Sequence, residues 1–320
     1  MLTLETVDIT NYSKEDLDDV ARQVADICEH GHGFFYLKFS NGEEHVANAL
    51  ELAKQFFALS DEDKSALEID DSCNFKLGGR PIAGTGPGYR GRGCDPNFSL
   101  DTRESFNVGS EAFDEEHDTH LGMNKWPEEK SLPNWRRRVA DYSDLLLDLS
   151  VKLRTILAIS LGLERNFFNT PGYFDYSSWL LGFVHYFSGS PSSPTSGKYG
   201  IRPHTDCGIF TLLASDGKPG LQVSLDGKEW VGVSPPPPGQ LVVNLGKNME
   251  VWSGGRFKAT LHRVVMGGET ERYSVPFFYE SNLDAKVKPL PGVVGDFWKE
   301  TTPVEILNGR LAKTDINDAM

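Results

Sequence analysis

The chain has 320 residues, of which 39% are hydrophobic, and its 46 acidic and 32 basic residues give a formal charge of −14. A chain of this length can bury a hydrophobic core of its own, so it needs no metal or disulfide merely to stay folded. The acidic balance lacks the basic stripe that neutralises phosphates, which argues against nucleic acid as a partner.

The N-terminal region combines helical patterns with one buried strand. Ser13 is in position to cap a helix, and the apolar residues that follow it recur at helical spacing: Leu17, Val20, Val24, Ile27 and Cys28. Residues 34–37 predict a buried strand, and residues 46–57 place apolar side chains on one face of a second helix. Residues 72–93 are rich in glycine and proline and predict a long loop, a kind of segment that often carries function.

The C-terminal part has a different pattern. From Pro133 a long amphipathic repeat continues to Gly162 and predicts the longest helix of the chain. Beyond about residue 178, short apolar runs are separated by turn residues, at 179–187, 209–214, 221–225, 229–233, 240–245, 257–265 and 273–279. This spacing predicts an antiparallel barrel or a double-sheet jelly roll.

Cysteine spacing and hydropathy indicate the compartment. Cys28, Cys73, Cys94 and Cys207 are far apart and form no Cys-x-x-Cys pair, which argues against a zinc knuckle or a disulfide framework. No apolar run approaches the length of a membrane span, and the first residues carry acids rather than a basic leader. We therefore expect a cytoplasmic protein with free thiols and no membrane partner.

A candidate metal site begins at His204-Thr205-Asp206. Side chains alternate along a strand, so His204 and Asp206 would share one face, and His262 would join them if its strand returns beside the first. Two imidazoles and one carboxylate make the facial triad that holds non-haem Fe(II) and leaves positions open. For the pair alone, a solvated histidine and a turn aspartate is the alternative interpretation.

A second constellation follows ten residues after His262. Arg272 and Ser274 alternate onto one face of a predicted strand, where a guanidinium and a hydroxyl together can bind a carboxylate. This second group, together with His262, favours a metal site over a chance His-x-Asp pair.

These segments, with others in the same order, resemble the plant and fungal soluble 2-oxoglutarate-dependent Fe(II) dioxygenases, the superfamily of isopenicillin N synthase-like enzymes and of flavonoid and gibberellin oxidases. Further matching stretches lie at residues 33–36, 56–59, 88–89, 103–106, 211–214, 220–223, 243–246, 252–255 and 262–264. The resemblance therefore covers nearly the whole chain.

The resemblance implies a fold that is mainly β with α: a double-stranded β-helix (jelly roll, cupin-like) core with a helical N-terminal region and a long supporting helix. We expect residues 1–130 to form a helical, loop-rich N-terminal dioxygenase region. Residues 131–290 would form the Fe(II)/2-oxoglutarate oxygenase domain with its supporting helix, and residues 291–320 a C-terminal segment.

The resemblance also implies site residues. Its three iron ligands, which are also its catalytic residues, fall on His204, Asp206 and His262. Arg272 and Ser274 match the clamp on the distal carboxylate of 2-oxoglutarate, and Tyr186 matches a tyrosine that contacts this cosubstrate. The implied cofactors are Fe(II), 2-oxoglutarate and O2.

Three positions depart from the family pattern. Val184, Phe187 and Lys247 stand where Asn, Pro and Asp are common. Because the iron and clamp residues are intact, these differences bear on the substrate rather than on the reaction class. Retention of Asp206 argues against a halogenase, in which the carboxylate is lost so that halide can bind.

The reaction implied by the resemblance is oxidation of an unactivated C–H bond of a small, carboxylated metabolite, with release of succinate and CO2. Hydroxylation is the leading interpretation. An oxidative cyclase or desaturase of natural-product biosynthesis, for example on an amino-acid-derived substrate, is the alternative, because both use the same oxidant. A non-catalytic jelly-roll binding protein is a third interpretation, of a different class.

Candidate substrate residues are Tyr89, Arg90 and Arg92 of the glycine-rich segment, Asn107 shortly after Glu104-Ser105, and Phe278 in the last predicted strand. Arg90 or Arg92 would pair with a substrate carboxylate, although a solvated loop charge is the alternative for each. Phe278 could contact substrate or simply fill the barrel. His185 should point away from the iron, because it alternates with Tyr186.

Overall fold

The computed structural model describes residues 1–11, 16–70, 73, 75–77, 80–82, 86–92, 102–110, 113–114, 119–120, 123–176, 178–189, 198–267, 269–293 and 300–307. The helices in these parts of the chain are α1 (Leu17–His30), α2 (Gly42–Phe57), α3 (Asp61–Ser65), α4 (Trp135–Ser160) and α5 (Lys247–Trp252), with a 3-10 turn at Phe167–Asn169. No helix in these ranges is long and apolar enough to cross a bilayer.

The predicted helices are present with small shifts at their ends. Helix α1 begins after Asp16, whose side chain makes no capping hydrogen bond, and Ser13, the expected cap, lies outside the described residues. Helix α2 begins four residues earlier than predicted, and α4 ends before Gly162, which adopts a positive φ of 79°. Helix α5 was not expected, because a six-residue element is too short to show a helical period.

The strands are β1 (Thr6–Asp8), β2 (Phe34–Lys38), β3 (Phe75–Leu77), β4 (Arg80–Ile82), β5 (Gly88–Arg90), β6 (Arg103–Gly109), β7 (Phe113–Asp114), β8 (Thr119–His120), β9 (Ser178–Tyr186), β10 (Ile201–His204), β11 (Phe210–Ser215), β12 (Leu221–Ser224), β13 (Val231–Gly232), β14 (Leu241–Leu245), β15 (Leu261–Val264) and β16 (Arg272–Glu280). Every strand run predicted beyond residue 178 therefore contains a strand.

Two largely antiparallel sheets form the core. The large sheet has eight strands in the order β1-β2-β14-β11-β16-β9-β6-β5, and the small sheet has four in the order β10-β15-β12-β13. Only the β1–β2 pair of these two sheets is parallel. The mainly β fold with a jelly-roll core is confirmed.

The N-terminal region contributes strands to the large sheet in addition to its helices α1, α2 and α3. Strands β1, β2, β5 and β6 all come from the first 130 residues. The first two predicted parts of the chain therefore share one sheet, and the boundaries between the three parts stay a prediction.

The prediction of a long loop at residues 72–93 is wrong in part, because this segment contains three short strands. Strands β3 and β4 pair as a hairpin, Phe75 opposite Ile82 and Leu77 opposite Arg80, and β5 joins the large sheet. The frequent glycines and prolines conceal two short runs on either side of Gly78-Gly79, and such a pair of glycines is itself a hairpin signal.

The long helix supports the outer face of the large sheet, as expected. At its first turn the Trp135 ring packs 5.9 Å from that of Phe106 on β6 and 5.3 Å from that of Phe183 on β9. Its indole N–H donates to the carbonyl of Leu52 on α2 at 3.0 Å. Trp135 therefore joins two helices to the sheet through one fully buried side chain.

Buried cysteines add to this core. Cys28, Cys73 and Cys207 are buried free thiols, and Cys94 lies outside the described residues.

Replacing Trp135 with alanine should reduce the free energy of unfolding by about 3–5 kcal/mol, because it leaves a cavity between the helices and the sheet. Trp135→Phe should lose less, since a ring still fills most of the space. Denaturant unfolding measures both values. The control is Val151→Ala on the exposed side of the same helix, expected to change stability by less than about 0.5 kcal/mol; equal effects at both positions would contradict this role for Trp135.

Candidate metal centre

The predicted triad converges at the edge of the small sheet. His204 is the last residue of β10 and pairs directly with His262 on β15. The nearest oxygen of Asp206, Oδ1, lies 3.6 Å from His204 Nε2 and 3.7 Å from His262 Nε2. One ligand atom from each of the three side chains falls within 4.8 Å of the others, a spacing that can hold one metal ion.

The predicted strand through His204 does not extend to Asp206. Strand β10 ends at His204, so Asp206 lies in the connection to β11 and not on the same strand. The two side chains meet because the chain turns there, and alternation along a strand is not the reason. Backbone bonds fix the turn: the amides of Lys247 and Asn248 on α5 donate to the carbonyls of Asp206 and Cys207.

Two glycines allow this turn to pass close to its neighbours. A Cβ on Gly246 would lie 2.2 Å from the carbonyl oxygen of Gly208, and one on Gly208 would lie 2.7 Å from that of Tyr279. Both contacts are with backbone atoms, which cannot move aside as a flexible side chain could. Any side chain at either position would displace the segment that carries Asp206.

The histidine tautomers suit metal binding. His204 Nδ1 donates to the carbonyl of Arg202 at 2.8 Å, and His262 Nδ1 donates to that of Thr260 at 3.0 Å. Because a carbonyl can only accept, the proton of each neutral ring lies on Nδ1 and the lone pair on Nε2. Both Nε2 atoms are the ones that approach Asp206.

Two side chains that the sequence interpretation had not assigned hold the Asp206 carboxylate. Thr211 Oγ1 and Asn244 Nδ2 both donate to its Oδ2, at 2.5 and 2.7 Å, which leaves Oδ1 toward the imidazoles. Burial alone would raise the pKa of Asp206, but the two imidazoles and these two hydrogen bonds hold it below its ordinary value. The available signal was their position inside the matching stretches at 211–214 and 243–246.

The predicted clamp lies in the same cavity. Arg272 and Ser274 are both buried on β16, and the guanidinium of Arg272 lies 4.9 Å from the ring centre of Tyr186 on β9. Arg272 Nε has a long contact of 3.4 Å to the carbonyl of Lys218, while Nη1 is buried and has no hydrogen-bond partner among the described residues. A buried guanidinium N–H without an acceptor fits a carboxylate ligand.

The cavity between the two sheets brings these groups together. It is lined by the three triad residues, the two clamp residues, Tyr186, Thr211, Asn244 and eight apolar side chains, one of which is the predicted substrate residue Phe278. The donor set therefore fits Fe(II), and the unpaired guanidinium fits a dicarboxylate such as 2-oxoglutarate.

The other predicted substrate residues do not line this cavity. The hydroxyl of Tyr89 donates to the buried carboxylate of Glu104 at 2.6 Å, and Arg92 is exposed with its guanidinium 5.6 Å from the ring centre of Phe187. The pairing register puts Arg90 in one row with Val184, a cavity residue, so Arg90 belongs to the inner face of the sheet.

Asn107 also lies on this inner face, beside Gly182 of β9. When the Asn107 amide is oriented so that both its nitrogen and its oxygen make hydrogen bonds, the oxygen accepts from Arg90 Nη1 at 2.7 Å. A Cβ on Gly182 would lie 3.0 Å from Asn107 Oδ1 and 3.3 Å from Cγ of Pro276, a cavity residue. The Arg90–Asn107 pair therefore flanks the cavity without entering it.

Comparison with known proteins identifies the family. The profile of the 2OG-Fe(II) oxygenase superfamily matches residues 180–281, and that of the N-terminal region of non-haem dioxygenases in morphine synthesis matches residues 4–129. The 2-oxoglutarate-dependent dioxygenase tropC of Talaromyces stipitatus is 32% identical over 97% of this chain and 95% of its own. The homoarginine-6-hydroxylase 2-ODD-C23 of Glycine max is 29% identical over 85% of this chain and 80% of its own.

Solved structures agree on the fold. A full-length Neurospora crassa protein, solved in complex with alpha-KG and thymine, superposes with a TM-score of 0.79 at 22% identity, covering 97% of both chains. A putative 2OG-Fe(II) oxygenase family protein from Caulobacter crescentus gives 0.78 at 26% identity, covering 97% of this chain and 99% of its own. The protein belongs to the 2-oxoglutarate- and Fe(II)-dependent dioxygenases, and it is an enzyme that uses Fe(II), 2-oxoglutarate and O2.

Proposed function

We propose that the protein oxidises an unactivated C–H bond of a small, carboxylated metabolite, with hydroxylation as the outcome and succinate and CO2 as the coproducts. His204, Asp206 and His262 would hold Fe(II). Arg272, Ser274 and Tyr186 would hold 2-oxoglutarate. The observation that carries the assignment is the presence, in one cavity, of the triad and of a buried arginine whose Nη1 has no acceptor among the described residues.

The bound iron, with 2-oxoglutarate and O2, supplies an oxidant strong enough to break a C–H bond. The protein residues do the binding and the orienting. The two Nε2 lone pairs and Asp206 Oδ1 offer three donors and leave other metal positions open. Arg272 would neutralise the distal carboxylate of the cosubstrate, and Ser274 would donate its hydroxyl to the same group.

The apolar wall of the cavity serves this chemistry. Val184, Ile201, Leu221, Val264 and Phe278 surround the polar groups and exclude water from them. Charge interactions are stronger in a water-poor cavity, so the Arg272–carboxylate contact would be worth more there than at the surface.

Adding Fe(II) and 2-oxoglutarate to the apoprotein without oxygen should produce the visible charge-transfer band of the metal-bound cosubstrate. His204→Ala should abolish the band because it removes a ligand. Arg272→Ala should weaken cosubstrate binding by roughly 10–100-fold, because it removes a charge-assisted contact of about 1.5–3 kcal/mol. Arg137→Ala, at an exposed arginine of α4, is the control. No band in folded, iron-loaded wild-type protein would refute the assignment.

The two supports of Asp206 should tune metal affinity. Thr211→Val keeps the shape of the side chain but removes its hydroxyl, and Asn244→Ala removes the amide, so each should lower the affinity for Fe(II) by about 10–100-fold. Thr211→Ser retains the hydroxyl and should bind as the wild type does. Anaerobic metal titration measures all three, and equal affinities in the Val and Ser variants would show that the hydroxyl has no such part.

For the substrate, we propose that Arg90, oriented by Asn107, pairs with the carboxylate. Its place on the inner face supports Arg90 over Arg92, which is exposed. Phe278, on the cavity wall, would contact the apolar part of the substrate. The structure gives Tyr89 another partner, Glu104, so no substrate contact is assigned to Tyr89.

A panel of small carboxylic acids, including L-homoarginine, with thymine as an uncharged comparison, should be screened by succinate release. For the best acid, Arg90→Ala should raise KM by about 10–100-fold through loss of a charge-assisted contact, with the affinity for 2-oxoglutarate unchanged. Arg92→Ala is the matched control. Normal KM in Arg90→Ala would contradict the assignment. Product mass separates hydroxylation, which adds one oxygen, from desaturation or ring closure, which removes two hydrogens.

A further inference from the structure

A row of charged groups, buried at Glu104 and Lys64 and reaching the surface at Glu271, lies behind the clamp on the outer face of the large sheet. The pairing register places Glu104 of β6, His185 of β9 and Tyr273 of β16 side by side in one row. The adjacent row, which belongs to the inner face, consists of Arg103, Tyr186 and Arg272. His185 is therefore the chain neighbour of Tyr186, and Tyr273 that of Arg272.

His185 has a carboxylate on each ring nitrogen. Its Nδ1 lies 2.8 Å from Glu104 Oε1, and its Nε2 lies 3.0 Å from Glu271 Oε2. A carboxylate only accepts, and imidazole donates from both nitrogens only when it carries a positive charge. With a carboxylate at each nitrogen, the imidazolium is the form of His185 that donates both hydrogen bonds. The side chain faces away from the metal site, as expected.

The neighbouring side chains in this row of charged groups balance the charge of His185. Glu104 Oε2 accepts from Lys64 Nζ at 3.1 Å and from the hydroxyl of Tyr89 at 2.6 Å. Burial alone would raise the pKa of Glu104, but the hydrogen bonds from His185, Tyr89 and Lys64 hold it below its ordinary value. Two cations, Lys64 and His185, thus face two carboxylates, Glu104 and Glu271, and every carboxylate has a donor.

His185 also contacts the two residues that flank Arg272 in the sequence. Glu271, the residue before Arg272, is paired with His185 Nε2. The ring of Tyr273, the residue after Arg272, stacks on the imidazole with centroids 4.6 Å apart and an interplanar angle of 7°, and its hydroxyl donates to Glu271 at 2.6 Å. These side-chain contacts on both sides of Arg272 therefore add to the backbone pairing that holds β16 against β9.

We propose that His185 is a positioning residue for the cosubstrate, whose imidazolium, clamped between Glu104 and Glu271, fixes β16 against β9 behind Arg272 and Tyr186 and thereby sets the affinity for 2-oxoglutarate. The inference rests on the proposed function, because it takes Arg272 and Tyr186 as the cosubstrate-binding residues. A bidentate arginine contact is sensitive to small displacements, so loosening the strand behind it weakens binding without touching the metal ligands.

His185→Gln tests the proposal, because an uncharged amide cannot donate to both carboxylates from the same place as the imidazolium. The dissociation constant of 2-oxoglutarate, titrated into anaerobic Fe(II)-loaded protein, should rise roughly tenfold. This is the lower end of the loss in affinity that follows when a residue supporting the ligand-binding side chains is replaced. Affinity for Fe(II), and kcat at saturating 2-oxoglutarate, should change by less than about threefold, since His185 touches no reacting group. A merely stabilising role would lower the unfolding temperature and leave the cosubstrate affinity unchanged.

The matched control is His30→Gln, which breaks an exposed His30–Asp26 pair on α1 and should alter none of these values. Glu271→Gln is the second variant, and it decides the question if His185→Gln does not fold, because its side chain is 49% exposed. This substitution removes one of the two carboxylate charges that face His185, and it should weaken 2-oxoglutarate binding by about threefold or more.

Unchanged 2-oxoglutarate affinity in the folded variants, with normal binding in the wild type, would overturn the role of His185 alone. Failure of the wild-type protein to bind 2-oxoglutarate would overturn the proposed function together with this inference. The two failures are therefore distinguishable within one titration series.

Discussion

The site depends on one buried anion. Asp206 is enclosed between the two sheets, where Thr211 and Asn244 donate to one carboxylate oxygen and the other oxygen faces the two imidazoles. An isolated carboxylate in such a place would be costly, so each of these neighbours is a condition for the charge. These four neighbours come from four different strands, and the fold is therefore the means by which this anion is surrounded.

The two faces of the large sheet carry different sets of residues. The inner face carries the clamp and the supports of Asp206, while the outer face carries the aromatic core around Trp135 and the charged row through His185. Because adjacent residues point to opposite faces, every shift of the outer face is passed to the inner one. Rigidity of the outer face is thus part of the geometry of the cavity.

Much of this could be predicted from the sequence, and the exceptions have physical reasons. His204, Asp206 and His262 were found from residue type, and Arg272 with Ser274 from alternation along a strand that does exist. The same rule gave a wrong location for Asp206, since β10 ends two residues earlier. Thr211 and Asn244 lie inside stretches that match the family, but their hydrogen bonds to Asp206, like the contacts of His185, depend on pairing between distant strands, which leaves no local signal.

The position of β2 inside the large sheet has a consequence for how the chain is made. Phe34 of β2 lies opposite Asn244 of β14, so β2 is synthesised about 200 residues before the strand that pairs with it. At about 5–20 residues per second the ribosome needs roughly 10–40 s to supply it. During that interval β2 lacks its β14 neighbour, and an unpaired strand edge is a place where one chain can pair with another and aggregate.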